Sequence, residues 1–186
     1  VFILSKISVM RKLLMFLVLA LAGLSVNAQV LYGNRYRGFV DFNVSPGNDG
    51  VYYELNTLGF SFTTSQGYQI NPYVYVGAGL GVQYCNFDNF ESSVSVPIFA
   101  NFRANFTRGR ISPFFDAKIG YSTVDLEGLF LSPSFGVRFG MRNNMGINLQ
   151  VGYSLQGYNY IDYHLYYSHL EKAYQHSVNI SLGIDW

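Results

Sequence analysis

The chain has 186 residues, of which 12% are charged and 18% aromatic, with 16 Tyr, 16 Phe and a formal net charge of +1. That balance excludes a nucleic-acid binder, which needs a dense basic patch, and leaves too few charges to solvate a soluble domain of this size. The single cysteine, Cys85, excludes an internal disulfide and reads as a small apolar residue near a strand end.

Residues 1–28 read as a signal peptide. Arg11 and Lys12 form a positive n-region, Leu13 to Leu24 an apolar core, and Val26-Asn27-Ala28 a small-residue cleavage site. The apolar core would rise only about 18 Å as a helix, short of a bilayer core of about 30 Å. Met10 offers an alternative start, which makes residues 1–9 an upstream extension. Cleavage before Gln29 leaves 29–186 as one domain.

From Gln29 onward the dominant signal is period-2 alternation, which marks strands with unlike faces. The first strand, about Arg35 to Val44, sets Tyr36, Val40, Phe42 and Val44 against Arg35, Arg37, Asp41 and Asn43. Ser45 to Gly50 reads as a turn. The second strand, about Tyr52 to Thr64, has Leu58, Phe60 and Phe62 on its apolar face, with Glu54 off-parity. Ser65-Gln66-Gly67 reads as the next turn. The third, Tyr73 to Tyr84, opposes Val74, Val76, Ala78, Leu80 and Val82 to Gly77, Gly79, Gly81 and Gln83.

The fourth, about Val94 to Asn105, contains Pro97, which lacks a ladder donor and is expected near the strand start or at a bulge. Thr107 to Arg110 reads as a turn. The fifth, Phe114 to Ser122, sets Phe115, Ala117 and Ile119 against Asp116, Lys118 and Gly120. The sixth, about Ser134 to Arg142, ends at a turn around Asn143-Asn144, and the seventh runs from Ile147 to Gln156. A long connection, about Gly157 to Gln175, then precedes the eighth strand. That strand runs from Ser177 to Trp186, with Val178, Ile180, Leu182, Ile184 and Trp186 in one apolar row.

Alternation fits a soluble barrel with an apolar interior as well as a membrane barrel with an apolar exterior. The composition of the polar faces favours the second. They hold Gly, Ser, Asn and Gln with few charges, namely Arg35, Arg37, Asp41, Arg103, Asp116, Lys118, Arg138 and Asp185. Small residues and balanced charges fit the narrow lumen that eight strands enclose. Lipid cannot satisfy an open sheet edge, so the strands must close. The expected fold is all-β: an eight-stranded antiparallel up-and-down transmembrane barrel. An even strand count puts both mature termini on one side, the periplasm, with short connections there and long ones outside.

Asn71 to Gly81, Pro113 to Tyr121 and the terminal strand carry a resemblance to a known family. The mature chain resembles the small outer-membrane β-barrel domain family of Gram-negative bacteria, of the OmpX/OmpW/PorT-like kind. The resemblance implies outer-membrane lipid as the surroundings and Trp186 as the aromatic signal read by the barrel-assembly machinery. It transfers no catalytic motif, and its members include structural barrels, adhesion-related proteins and narrow channels.

Three functional readings follow. In the first, the lumen charges pair into a network that plugs the barrel, because an unpaired buried charge is costly. The protein is then a monomeric structural or surface-interaction barrel. Recognition of an extracellular ligand or protein would fall to Tyr158, Tyr160, Tyr163, Tyr166 and Tyr167 in the long connection, since Tyr buries much area at low entropy cost. The rival for that stretch is a pair of strands extending beyond the bilayer. In the second reading the charges line a narrow channel for small solutes. The third is a barrel-embedded lipid-modifying enzyme, for which Ser168, His169 and Glu171 are the only close grouping, although adjacent side chains of a strand point apart. No catalytic residue, metal or cofactor is expected. His164 and His169 lack an accompanying ligand pattern in the sequence, and the glycines of the third strand open no helix as a nucleotide loop requires.

Overall fold

The computed structural model describes residues 35–48, 56–87, 92–141, 145–164 and 167–186, with the side chains of 48, 56, 57, 87 and 159–172 outside the description. Eight strands follow one another: β1 (Tyr36–Asn48), β2 (Asn56–Gln69), β3 (Val74–Phe87), β4 (Ser93–Asn105), β5 (Ile111–Val124), β6 (Gly128–Gly140), β7 (Gly146–His164) and β8 (Tyr167–Asp185). Each pairs with its neighbours in chain order, and β8 returns to β1 to close the barrel. The closing seam is antiparallel, with Val40 opposite Ile184 and Val44 opposite Ile180. Gly38 and Trp186 exchange backbone hydrogen bonds of 3.1 Å, and the Trp186 indole covers Gly38, where any Cβ would collide with the ring.

The alternation read from the sequence sorts inside from outside. On β8, Val178, Ile180 and Leu182 are 50–56% exposed, whereas Ser177, Asn179 and Ser181 are 4–8% exposed. The barrel is therefore inverted relative to a soluble fold, with its apolar face outward and its polar face within. Tyr73 and Tyr84 are exposed near the ends of β3, as girdle residues would be, whereas Tyr153 is exposed in the middle of β7.

Several boundaries differ from the sequence reading. Ser45, Pro46 and Gly47 belong to β1, and Ser45 points inward to donate to the Asn179 side chain. Ser65, Gln66 and Gly67 belong to β2, opposite Gly79, Ala78 and Gly77, and the turn falls at 70–73. Pro97 lies inside β4, towards its start, without a bulge. The β3–β4 ladder passes from Leu80↔Ile98 to Gln83↔Ser95, so it skips two pairs and resumes in the same register. Pro46 and Pro133 sit in equivalent gaps. The missing donor costs a rung and leaves the register intact. Glu54, Asn143 and Asn144, like residues 1–28, lie outside the described residues.

The stretch from Gly157 to Gln175 is mostly not a loop. β7 and β8 are 19 residues each, against 13 or 14 for the other strands. They remain paired up to His164↔Tyr167, forming a two-stranded hairpin beyond the rest of the barrel. Tyr158, Tyr160, Tyr163 and Tyr167 sit on its arms, and Tyr166 lies outside the described residues.

Inward glycines accept large neighbours. A Cβ on Gly77 would meet the Tyr75 phenol and the Gln66 carbonyl oxygen. Gly77→Ala is expected to cost about 1–3 kcal/mol by overpacking, measured by urea unfolding of the refolded barrel through Trp186 fluorescence. A Tyr75→Phe background should recover part of that loss.

Candidate functional site: the barrel lumen

Odd-numbered positions of β1 and β8, and their register partners elsewhere, point inward and bring distant charges together. At the end that holds the start of β1, Asp185 is fully buried and receives two arginines. Arg37 approaches it at 2.7 Å, and Arg138 binds it through Nη2 at 2.8 Å and Nε at 2.9 Å. Asn148 donates to the same carboxylate at 3.0 Å and accepts from Arg103 Nη1 at 3.2 Å. Arg103 Nε then donates to Asp116 at 2.8 Å. Lys118 Nζ lies 3.2 Å from the other Asp116 oxygen and 3.1 Å from Asp41.

The result is one chain of charge from Arg37 to Asp41, spanning β1, β8, β6, β7, β4 and β5. Arg103 is its centre. It is 1% exposed, and its guanidinium lies 4.0 Å from the centroid of Phe39 and 4.1 Å from that of Phe114. The two rings take the faces of the cation while hydrogen bonds take its edge, an arrangement worth most when desolvated. Its Nη2 and the second oxygen of Asp41 have no hydrogen-bond partner among the described residues. Tyr75, edge-on to Phe39 at 4.8 Å, fills the lumen beside β2 and β3.

Above this layer the lumen is neutral. Asn43 donates to Ser61 at 2.9 Å and accepts from Ser181. Ser45 donates to Asn179, which donates to Ser132 at 3.0 Å. These residues border a cavity of about 20 Å³ whose charged lining residue is Lys118, space for about one water. Higher still, Phe99 packs on Phe130 with centroids 5.9 Å apart. Leu126 from the β5–β6 turn is 5% exposed, and its carbonyl accepts from Gln156 at 3.3 Å.

Of the eight charges assigned to the lumen, seven join this chain. Arg35 does not: it precedes β1 and is exposed, because the strand ends before the alternation in the sequence does. Sequence reasoning missed Asn148, whose neutral amide bridges the two ion clusters, and the inward Phe39, Phe114 and Tyr75. Phe39 shares its parity with Arg37 and Asp41, which is the signal that would have found it. On the outer surface His176, also unassigned, hydrogen-bonds through Nδ1 to the Tyr153 hydroxyl. Of the five tyrosines assigned to recognition, only Tyr158 has a side chain within the described residues.

Neither a protein-family model nor a curated protein matches the chain. Solved structures do. Neisserial surface protein A (NspA) aligns with a TM-score of 0.52 at 18% identity, over 81% of this chain and 95% of that one. The outer membrane protein AlkL, determined in lipid bilayers, aligns with a TM-score of 0.53 at 14% identity, over 82% and 89%. The fold is that of the small outer-membrane β-barrels. In such a barrel the lumen is the only polar interior, and here it is filled by side chains that bond to one another.

Removing one partner of a buried ion pair strands the other. Arg103→Ala is expected to destabilise the barrel by about 3–5 kcal/mol. An Arg103→Met/Asp116→Leu double variant should lose less than the sum of its single variants, because no charge is left stranded between those two positions. Urea titration of the three refolded variants against wild type measures both effects.

Proposed function

We propose that this chain is a non-conducting outer-membrane β-barrel with a structural or surface-interaction role, and that it is not an enzyme. The observation that carries the reading is the charge chain centred on Arg103, which crosses the lumen between two aromatic rings. Eight strands enclose room for side chains and little more, and here that room is taken. The outward apolar face and the closed ladder meet the two demands of lipid, apolar contact and no free edge. Export through residues 1–28, both barrel termini in the periplasm and a monomeric state complete the proposal. The long β7–β8 hairpin is then the part that reaches outside, and its tyrosine-rich sequence suits recognition of an extracellular ligand or protein.

Single-channel recording of the refolded mature chain in a planar bilayer tests the closed lumen. A folded barrel, verified by heat-modifiable gel mobility, is expected to give no openings, and steady openings in wild type would overturn the proposal. Membrane embedding has a separate test. Ile180→Arg on the outward face is expected to cost about 2–4 kcal/mol in lipid vesicles if it lies near the midplane, measured by urea titration, whereas an aqueous exterior would leave stability almost unchanged.

A further inference from the structure

The short connections at the two ends of the barrel differ in their charged residues. At the end holding the start of β1 and the close of β8, the connections are 70–73, 106–110 and 141–145. Their charged residues are Arg108, Arg110 and Arg142, with no Asp or Glu. At the other end, connections 49–55, 88–92 and 125–127 contain Asp49, Glu54, Asp88, Glu91, Asp125 and Glu127, with no Lys or Arg. Arg142, Asp49, Glu54, Asp88 and Glu91 lie outside the described residues and enter only by their place in the chain.

Arg108 and Arg110 are exposed, and neither forms an ion pair with a described residue. Their turn is nevertheless well fixed. Thr107 Oγ1 donates to the Ile111 carbonyl at 3.1 Å, Ser112 Oγ donates to the Thr107 carbonyl at 2.8 Å, and the Arg110 carbonyl accepts from Gly140 N at 2.7 Å. The Arg108 guanidinium sits 4.8 Å from the centroid of Tyr73. Directly beside these cations the surface is apolar, with Phe106 57% and Ile111 61% exposed.

Two exposed guanidiniums on a hydrogen-bonded turn, one of them over an aromatic ring, bordered by exposed apolar residues and without an acidic partner among the described residues, match a lipid–water interface. There phosphate oxygens supply the missing counter-charge and acyl chains cover the apolar residues. We infer that Arg108 and Arg110, with Tyr73, form a docking site for the phosphate headgroups of anionic phospholipids in the leaflet at this end. A soluble anion would satisfy the cations but would leave Phe106 and Ile111 in water. The inference rests on the membrane-spanning reading above.

A local reporter separates the two. In the full mature chain carrying Trp186→Phe and Phe106→Trp, the new indole is the only tryptophan and sits at the proposed site. Quenching by brominated phosphatidylcholine reports whether this rim meets lipid, and its absence would defeat the membrane-spanning reading. Quenching by brominated phosphatidylglycerol, relative to phosphatidylcholine, reports headgroup preference. The expected preference is roughly fivefold for each arginine engaged. It should vanish in Arg108→Gln/Arg110→Gln and persist in Arg108→Lys/Arg110→Lys. Equal quenching by the two lipids, or a preference that survives the glutamine variant, would overturn the inference. So would loss of the preference in inorganic phosphate beyond the loss in sodium chloride of equal ionic strength, since the site would then take a free anion.

Discussion

Arg103 enters the lumen from β4 with almost no water to solvate it, and the other interior charges are arranged around that constraint. A desolvated guanidinium needs a carboxylate on its edge and polarisable surface on its faces. Asp116 supplies the first, while Phe39 and Phe114 supply the second. Asp116 would itself be over-committed between Arg103 and Lys118 if the chain ended there. It continues to Asp41 through Lys118 and to Asp185 through Asn148. Four cations (Arg37, Arg103, Lys118, Arg138) thus meet three carboxylates (Asp41, Asp116, Asp185), and the aromatic rings over Arg103 offset part of that imbalance.

The same constraint explains the small residues. A cross-section that holds an arginine between two phenylalanines has no space for further bulk, so the strands facing it offer glycine. Gly77 lies under Tyr75, and Gly136 lies under the Phe114 ring. Higher in the barrel, where no charge has to be neutralised, serine, asparagine and glutamine meet in short pairs and leave a water-sized gap. Packing and electrostatics are therefore one design inside this barrel: large side chains carry or cover charge, and glycines make room for them.

Much of this was legible in the sequence because period-2 parity survives any error in strand boundaries. Val178, Ile180 and Leu182 face outward whether β8 begins at Tyr167 or Ser177. The inward set from Arg37 to Asp185 follows from the same parity. Boundaries were less legible, for a specific physical reason. Ser, Gly, Asn and Pro mark turns because they tolerate or prefer turn conformations, but Ser, Gly and Asn are also what a narrow lumen demands. Ser45-Pro46-Gly47 and Ser65-Gln66-Gly67 carry the turn signal while serving as lumen-facing strand. Proline added to the confusion, since the ladder around Pro97 absorbs a lost donor as a skipped rung. Register could not be read at all. The Asn148 bridge depends on which residues of β4, β7 and β8 share a level, and single-strand patterns contain no such information.

A filled interior moves the question of function to the surfaces. The outward face is apolar along most of its length, with polar groups such as His176 and Asn86 as exceptions, and among the described residues it offers no built site. What remains specific lies at the two ends. One end carries arginines on a short, hydrogen-bonded turn beside exposed aromatics. The other carries acidic connections and a hairpin that leaves the barrel wall as a two-stranded ribbon. Beyond Gly157, β7 has no further strand of the described residues on its β6 side, because β6 begins at Gly128. A ribbon with a free edge is an aggregation hazard unless charge or a partner covers it. In the proposed surface-interaction role, a partner pairing with that edge supplies the cover.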